Sequence, residues 1–408
     1  MTEAQISSQT CGHSETLRRY DVDWLRVLGM LTVFLFHCGR FFDTGGWHVK
    51  SLRTSPSLDI VNAFIVQWMM PLFFILSGIS ICYSLGRQGW SEFLISRVKR
   101  LLVPLLFGIF VIIAPWQVYL ERVTHDGYSG SFWRWYRHDY FSGWFGLGGN
   151  FAWMGVHLWY LEFLFVFSVL ALPLLLYLRS PPGRRAVEAL AGLLKRPGAI
   201  FLPALAIGAA EFIASIPAIN KSIFGNEGFG GWSFLPYFVM LILGYLLAAG
   251  PGLAGTVERH RLPATAVGII VFVLGYLAYK ATQPWAWLPR ELLMSFVRGV
   301  LCWAWLVAIC GFAGRHLRFS DGFLKYANEA VLPFYILHQT VILTIGFYVI
   351  RLDTSLWLEY LIIASSAFAV TVGIYELLIK RFNVLRFLFG MKLLRRLNAS
   401  CLSPSFTD

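Results

Sequence analysis

Long apolar runs decide what this chain can become. Ten stretches of about 20 mostly apolar residues succeed one another, at about 22–42, 58–84, 98–120, 153–178, 199–216, 232–250, 262–281, 291–313, 331–350 and 355–380. A helix of that length matches the hydrocarbon thickness of a bilayer, whereas a transmembrane barrel would show alternating segments of about ten. The expected fold is therefore all-α, a polytopic transmembrane helical bundle of about ten spans. The fifth run is interrupted by Glu211, and the seventh is short and carries Gly268 and Gly275, so these two are the weakest. Only 14% of the 408 residues are charged, against about 25% in soluble domains, which excludes a water-soluble enzyme and a disordered chain alike.

The 34 Lys plus Arg outnumber the 22 Asp plus Glu, for a net charge of +12. Because the basic residues are scattered between apolar runs and not gathered on one face, they argue for topology and against nucleic acid. With the N-terminus inside, 22 of the 34 fall in inside segments and 10 outside, Arg26 and Arg298 lying within spans. This asymmetry predicts that the N- and C-termini are both cytoplasmic. The organisation expected is a cytoplasmic N-terminal segment 1–20, a transmembrane domain 21–380 whose first helix is retained, and a basic amphipathic cytoplasmic tail 381–408. Within that tail, Lys380 to Leu397 mixes Lys380, Arg381, Arg386, Lys392, Arg395 and Arg396 with apolar residues, as would a helix lying on anionic membrane lipid. The largest loop, about 121–152, is aromatic and falls outside. It reads as a headgroup-level cap over an outward cleft or as a plain aromatic belt. Six cysteines show no CxxC spacing and four lie inside apolar runs, so neither a metal site nor a disulfide framework is indicated.

Ionisable groups inside spans are costly, and each is a candidate for function with a structural ion pair as the alternative. In DVDWLRVLGMLTVFLFH, Arg26 and His37 are eleven residues apart, which brings them within about 20° of one helix face and about 16 Å apart along it. That is roughly the reach of a pantetheine arm, with Arg26 as charge clamp for a nucleotide phosphate and His37 as base near the thioester. The alternative is an Asp23–Arg26 pair at i, i+3 and a histidine bonded to a neighbouring helix. Arg97 and Arg100, in SEFLISRVKRLLVP, suit a phosphate clamp or an inner-leaflet anchor. His157 and Glu162 are five residues apart, about 140° around a helix, so they do not form a direct acid–base couple. His338 lies with Gln339 about a third of the way in from the cytoplasmic side of its span. Together with Arg298 and Glu376, the three histidines argue for a polar intramembrane cavity.

Five motifs in order, the Arg26 to His37 spacing, PLFFILSG (Pro71 to Gly78), RVKRLLVP, HLWYLEFL (His157 to Leu164) and LPFYILHQ (Leu332 to Gln339), resemble the acyltransferase 3 family of integral membrane O-acyltransferases. DVDWLR and RFLFGMK resemble its glucan-biosynthesis branch. The likeness runs from about Arg19 to Leu397. It implies a bacterial inner-membrane protein that takes an acetyl or succinyl group from cytoplasmic acyl-CoA, its donor substrate, and transfers it to a hydroxyl of a periplasmic or cell-surface glycan such as an osmoregulated glucan. It further implies His37 as base or acyl relay with Arg26 as its partner, Arg97 and Arg100 with Arg26 at the donor, His338 as a further catalytic position, and His157 and Glu162 toward the acceptor. No metal is implied. The appended periplasmic hydrolase-like domain of some members has no counterpart here, so acceptor capture falls to the loops or to a partner protein.

A sugar hydroxyl needs a positioned base to attack a thioester, and a dry cleft keeps that thioester from water. Cys38 follows His37 but points about 100° away, and is not read as an acyl-carrying nucleophile. The competing reading is a transporter that exports a glycan without chemistry. Transporters often carry inverted repeats with matched broken helices, and none stands out between the two halves.

Overall fold

The computed structural model describes residues 18–111, 113–222, 228–282 and 285–394, and within them the regular structure is entirely helical. In chain order the helices are α1 (Tyr20–Gly39), α2 (Pro56–Val66), α3 (Met69–Arg87), α4 (Trp90–Arg97), α5 (Val103–Phe110), α6 (Ile113–His125), α7 (Phe132–His138), α8 (Trp159–Leu170), α9 (Leu172–Arg179) and α10 (Pro181–Leu194). They continue with α11 (Pro203–Ser215), α12 (Pro217–Asn220), α13 (Phe234–Ala249), α14 (Leu253–Arg259), α15 (Arg261–Ala281), α16 (Trp287–His316), α17 (Gly322–Val349), α18 (Leu356–Ile374) and α19 (Asn383–Leu388).

Every expected run is helical, but not every run is a straight span. Seven helical segments among the described residues are long and apolar enough to cross a membrane, and nine if each bent pair is one span. The pairs are Val156–Leu170 with Leu172–Arg179, bent by 50°, and Phe234–Ala249 with Leu253–Arg259, bent by 106°. Pro173, in the first turn of α9, has no N–H to continue the ladder and sets the first bend. The tenth region, Ala199–Ser215, is apolar but shorter. Its Glu211 is buried and ion-paired with Arg298 of α16, which accounts for the interruption read from sequence.

Close packing at small residues holds the centre of the bundle. A Cβ on Gly78 of α3 would sit 2.0 Å from the Leu241 carbonyl oxygen of α13, and one on Gly244 would sit 2.2 Å from that of Ile75. Glycine is thus required on both sides of this crossing, as small residues are wherever membrane helices approach backbone to backbone.

Two expectations change. α17 begins at Gly322, where the Asp321 side chain accepts from the Leu324 N–H at 2.7 Å, about nine residues before the apolar run does. Its start packs beside the start of α1, since Trp24 Nε1–H donates to the Phe319 carbonyl at 3.1 Å. The two helices therefore run side by side in the same direction, and His338 lies past the midpoint of α17, beside His37, and not a third of the way in. The tail is also not one amphipathic helix. α19 ends at Leu388, Gly390 adopts φ +67°, and Arg386 is buried against Glu329 at 2.8 Å and the Lys392 carbonyl at 2.6 Å. Arg395, Arg396 and Leu397 lie outside the described residues.

Candidate active site

α1 supplies the axis of the site. Its residues 26, 30, 33 and 37 follow the i, i+4, i+7, i+11 spacing of one helical stripe. Arg26, Met30 and Val33 line a cavity of about 100 Å³ together with Tyr160 of α8 and Tyr335 of α17. Arg26 also lines a second, wider cavity of about 320 Å³ with Arg18, Arg19, Arg87, Asp23 and Ser80. One guanidinium thus stands at the junction of a cationic vestibule, with four arginines against one carboxylate, and an apolar inner chamber. Hydrogen bonds from Arg19 to Asp21, at 2.6 and 2.8 Å, push the Arg19 pKa up and fix its charge at the vestibule mouth.

Arg26 donates to Asp23 at 3.0 Å and to the Ser80 hydroxyl of α3. Half of the structural alternative read from sequence is therefore present, the i, i+3 pair. The other half is not, for no neighbouring helix bonds the His37 ring: its Nδ1 is buried without a hydrogen-bond partner among the described residues.

Beyond Tyr335 three imidazoles gather. The ring centroids of His37 and His338 are 5.3 Å apart, and those of His338 and His157 are 5.2 Å apart. The Tyr335 carbonyl oxygen orders two of them, accepting from His338 Nδ1 at 2.6 Å and from His157 Nε2 at 3.1 Å. His338 therefore keeps its Nε2 lone pair, which is buried and unpartnered among the described residues. His157 has nothing to spare: the Gln117 amide donates to its Nδ1 at 3.1 Å while its Nε2–H serves the Tyr335 and Ile336 carbonyls. The turn that delivers His157 is unusual, with Gly155 at φ +72° and Val156 at φ +59°, a region a β-branched residue rarely occupies. The Tyr335 hydroxyl donates to the His157 carbonyl at 2.5 Å and holds this turn in place. Chemically, His37 and His338 can accept a proton, whereas His157 positions.

Over His37 lies an aromatic lid. Trp47 stacks on the His37 ring with centroids 5.9 Å apart, His125 bonds the Trp47 carbonyl at 2.8 Å, and His48 pairs with Glu121. In the 121–152 segment behind it, Phe132, Trp135 and Tyr140 form a small core with Ala114 and Val118 of α6.

The other sequence candidates are placed apart or in new roles. Arg97 turns inward, its guanidinium 4.6 Å over the Phe93 ring and within electrostatic reach of Arg26 and Tyr160, with Nε unpartnered among the described residues. Arg100 lies in the π-helical turn Val98–Leu102, is exposed, and is also within electrostatic reach of Arg97. Glu162 is separated from His157, and its Oε2 is buried without a partner among the described residues. Arg298 and Glu376 do not join the histidines: Arg298 serves Glu211, the Gly231 carbonyl and the Trp232 ring at 4.5 Å, and Glu376 pairs with Lys380 at 2.8 Å. Sequence reading missed Gln117, Thr340, Tyr160, Tyr335, Ser77 and Trp47. The buried glutamine in an apolar helix was the one signal available for any of them.

Among the described residues no group of three or more His, Cys, Asp or Glu side chains is placed to hold a metal ion.

A helical membrane fold with a cationic vestibule and three gathered histidines fits group-transfer chemistry. The acyltransferase 3 domain profile matches residues 19–376, and the chain belongs to this acyltransferase family. The chain is similar to the glucans biosynthesis protein C of Escherichia coli strain SMS-3-5, 26% identical over 387 residues that cover 92% of this chain and 95% of that protein. The same protein of strain K12 gives the same figures, and that of O6:K15:H31 strain 536 is 26% identical over 382 residues. No solved structure matches the chain.

Proposed function

We propose that this multi-pass membrane acyltransferase moves an acyl group from a cytoplasmic acyl-CoA to a hydroxyl of a glycan on the opposite face of a bacterial inner membrane. The observation that carries the reading is the single α1 stripe that runs from the cationic junction at Arg26, along the Met30 and Val33 cavity wall, to His37. The vestibule faces the cytoplasm, in keeping with the distribution of Lys and Arg, and takes the phosphates of the donor. Arg97 adds positive charge from behind the inner chamber.

In the transfer, the acceptor oxygen bonds to the thioester carbonyl carbon while His37 takes the hydroxyl proton. The carbon–sulfur bond breaks, and the departing thiolate receives that proton from His37, leaving an ester and the free thiol. His338 backs His37, and His157 holds the tautomers. Likeness to glucans biosynthesis protein C suggests a glucan as the acceptor.

His37→Ala should abolish ester formation while the protein still inserts and accumulates. Labelled acyl-CoA supplied to inside-out vesicles reads this out as label in a covalent ester, and normal acyl content on the extracted glycan would refute the assignment of His37.

A further inference from the structure

One stripe of α3 carries hydroxyls in an otherwise apolar helix. Ser77, Ser80 and Ser84 recur at i, i+3 and i+7, and all three are half-buried while Leu76, Gly78, Ile79 and Ile81 around them are buried. Ser80 and Ser84 line the vestibule and Ser77 the inner cavity. The first two are engaged locally. Ser80 accepts from Arg26 and donates to the Leu76 carbonyl at 2.5 Å, and Ser84 accepts from Gln88 Nε2 at 2.7 Å.

Ser77 instead meets Tyr160 across the chamber, with 2.7 Å between the two oxygens. Ser77 can donate to the Tyr160 oxygen while the Tyr160 hydroxyl donates to the Phe73 carbonyl, but that second bond, at 3.4 Å, lies at the long limit of a hydrogen bond. Apart from Arg26, Tyr335 and this pair, the cavity wall is apolar. A hydroxyl whose proton rests on so long a bond, in such a wall, gains from a better-placed partner inside the cavity.

The spacing says which partner. Ser77 is three residues beyond Ser80, the partner of Arg26, a step of about 4.5 Å along the helix. In a pantetheine arm four bonds separate the phosphate ester oxygen from the first amide carbonyl, about 5 Å at the per-bond reach of an extended chain. We infer that the Ser77–Tyr160 hydroxyl pair hydrogen-bonds the pantetheine amide nearer the nucleotide and sets the register of the donor between Arg26 and His37. This rests on the acyl-CoA reading above and adds the residues that read the arm.

The test uses the purified full-length protein in nanodiscs, as wild type, Ser77→Ala, Tyr160→Phe and Ser77→Thr. The readouts are KM and kcat for acetyl-CoA and succinyl-CoA, and the Kd of adenosine 3′,5′-bisphosphate, a nucleotide that lacks the arm. Loss of one hydrogen bond raises KM about 3- to 10-fold in Ser77→Ala and Tyr160→Phe. Their kcat and nucleotide Kd stay at wild-type values, and Ser77→Thr keeps the wild-type KM. Unchanged KM in both variants overturns the inference and leaves the donor reading standing, as does an equal loss of nucleotide affinity, which would mark a general disturbance of the vestibule. A wild-type protein that neither binds the nucleotide nor uses either acyl-CoA overturns the donor reading itself, and this inference with it.

Discussion

Replacing Arg26 by Gln separates its structural role from its proposed one, because the structure leaves almost nothing stranded. Asp23 keeps the Arg18 guanidinium at 2.7 Å, and Ser80 keeps its bond to the Leu76 carbonyl at 2.5 Å. The Arg26 side chain is 29% exposed at the vestibule, so the lost ion pair costs about 0–1 kcal/mol. A charge-assisted hydrogen bond to a phosphate contributes about 1.5–3 kcal/mol, equivalent to roughly 10- to 150-fold in affinity. The expected result is a KM for acyl-CoA raised by that factor, with a thermal unfolding midpoint in detergent lowered by no more than about 2–4 °C. Arg26→Lys restores the charge without the planar fork and should fall between the two. A KM within twofold of wild type, accompanied by a clear loss of thermal stability, would show that Arg26 is an ion-pair partner and nothing more.

Gln117→Met removes a fully buried amide and strands His157 Nδ1 and Gln339 Nε2, which bond it at 3.1 and 3.0 Å. Thermal unfolding in micelles should show a loss of about 1–3 kcal/mol together with reduced activity, and an unchanged midpoint would remove this network from the account. Gly78→Ala places a methyl 2.0 Å from the Leu241 carbonyl, so α3 and α13 must separate. A cost of about 3 kcal/mol should appear as lower accumulation in membranes, and wild-type accumulation would refute the close crossing.

The bundle was legible in sequence because bilayer thickness imposes a length that apolar runs display directly. Ends and bends were less so: Asp321 caps α17 ahead of its apolar run, and Pro173 bends a run that hydropathy reads as continuous. Within the site, the part carried by one helix was accessible. Arg26 and His37 share a face by rotation alone. What came from different helices was not. His157 meets the Tyr335 carbonyl across 178 residues, and Gln117 meets Thr340 across 223, pairings that no local period encodes. The collective inference from buried ionisable groups overreached for the same reason, since Arg298 and Glu211 satisfy one another at a separate place in the bundle.

The hydrogen bonds, more than the proximity of the rings, divide the work among the three histidines. An imidazole whose two nitrogens are both committed cannot take a proton without breaking a bond, and His157 is in that state, with Gln117 on one side and two carbonyls on the other. His338 commits only Nδ1, to the carbonyl of Tyr335. That same tyrosine also lines the inner cavity, so one residue both borders that chamber and settles which nitrogen of His338 stays free. His37 stands at the end of the α1 stripe under Trp47, the one imidazole of the three that is half-buried and not fully enclosed. That order supports the proposed proton transfer at His37, with His338 behind it.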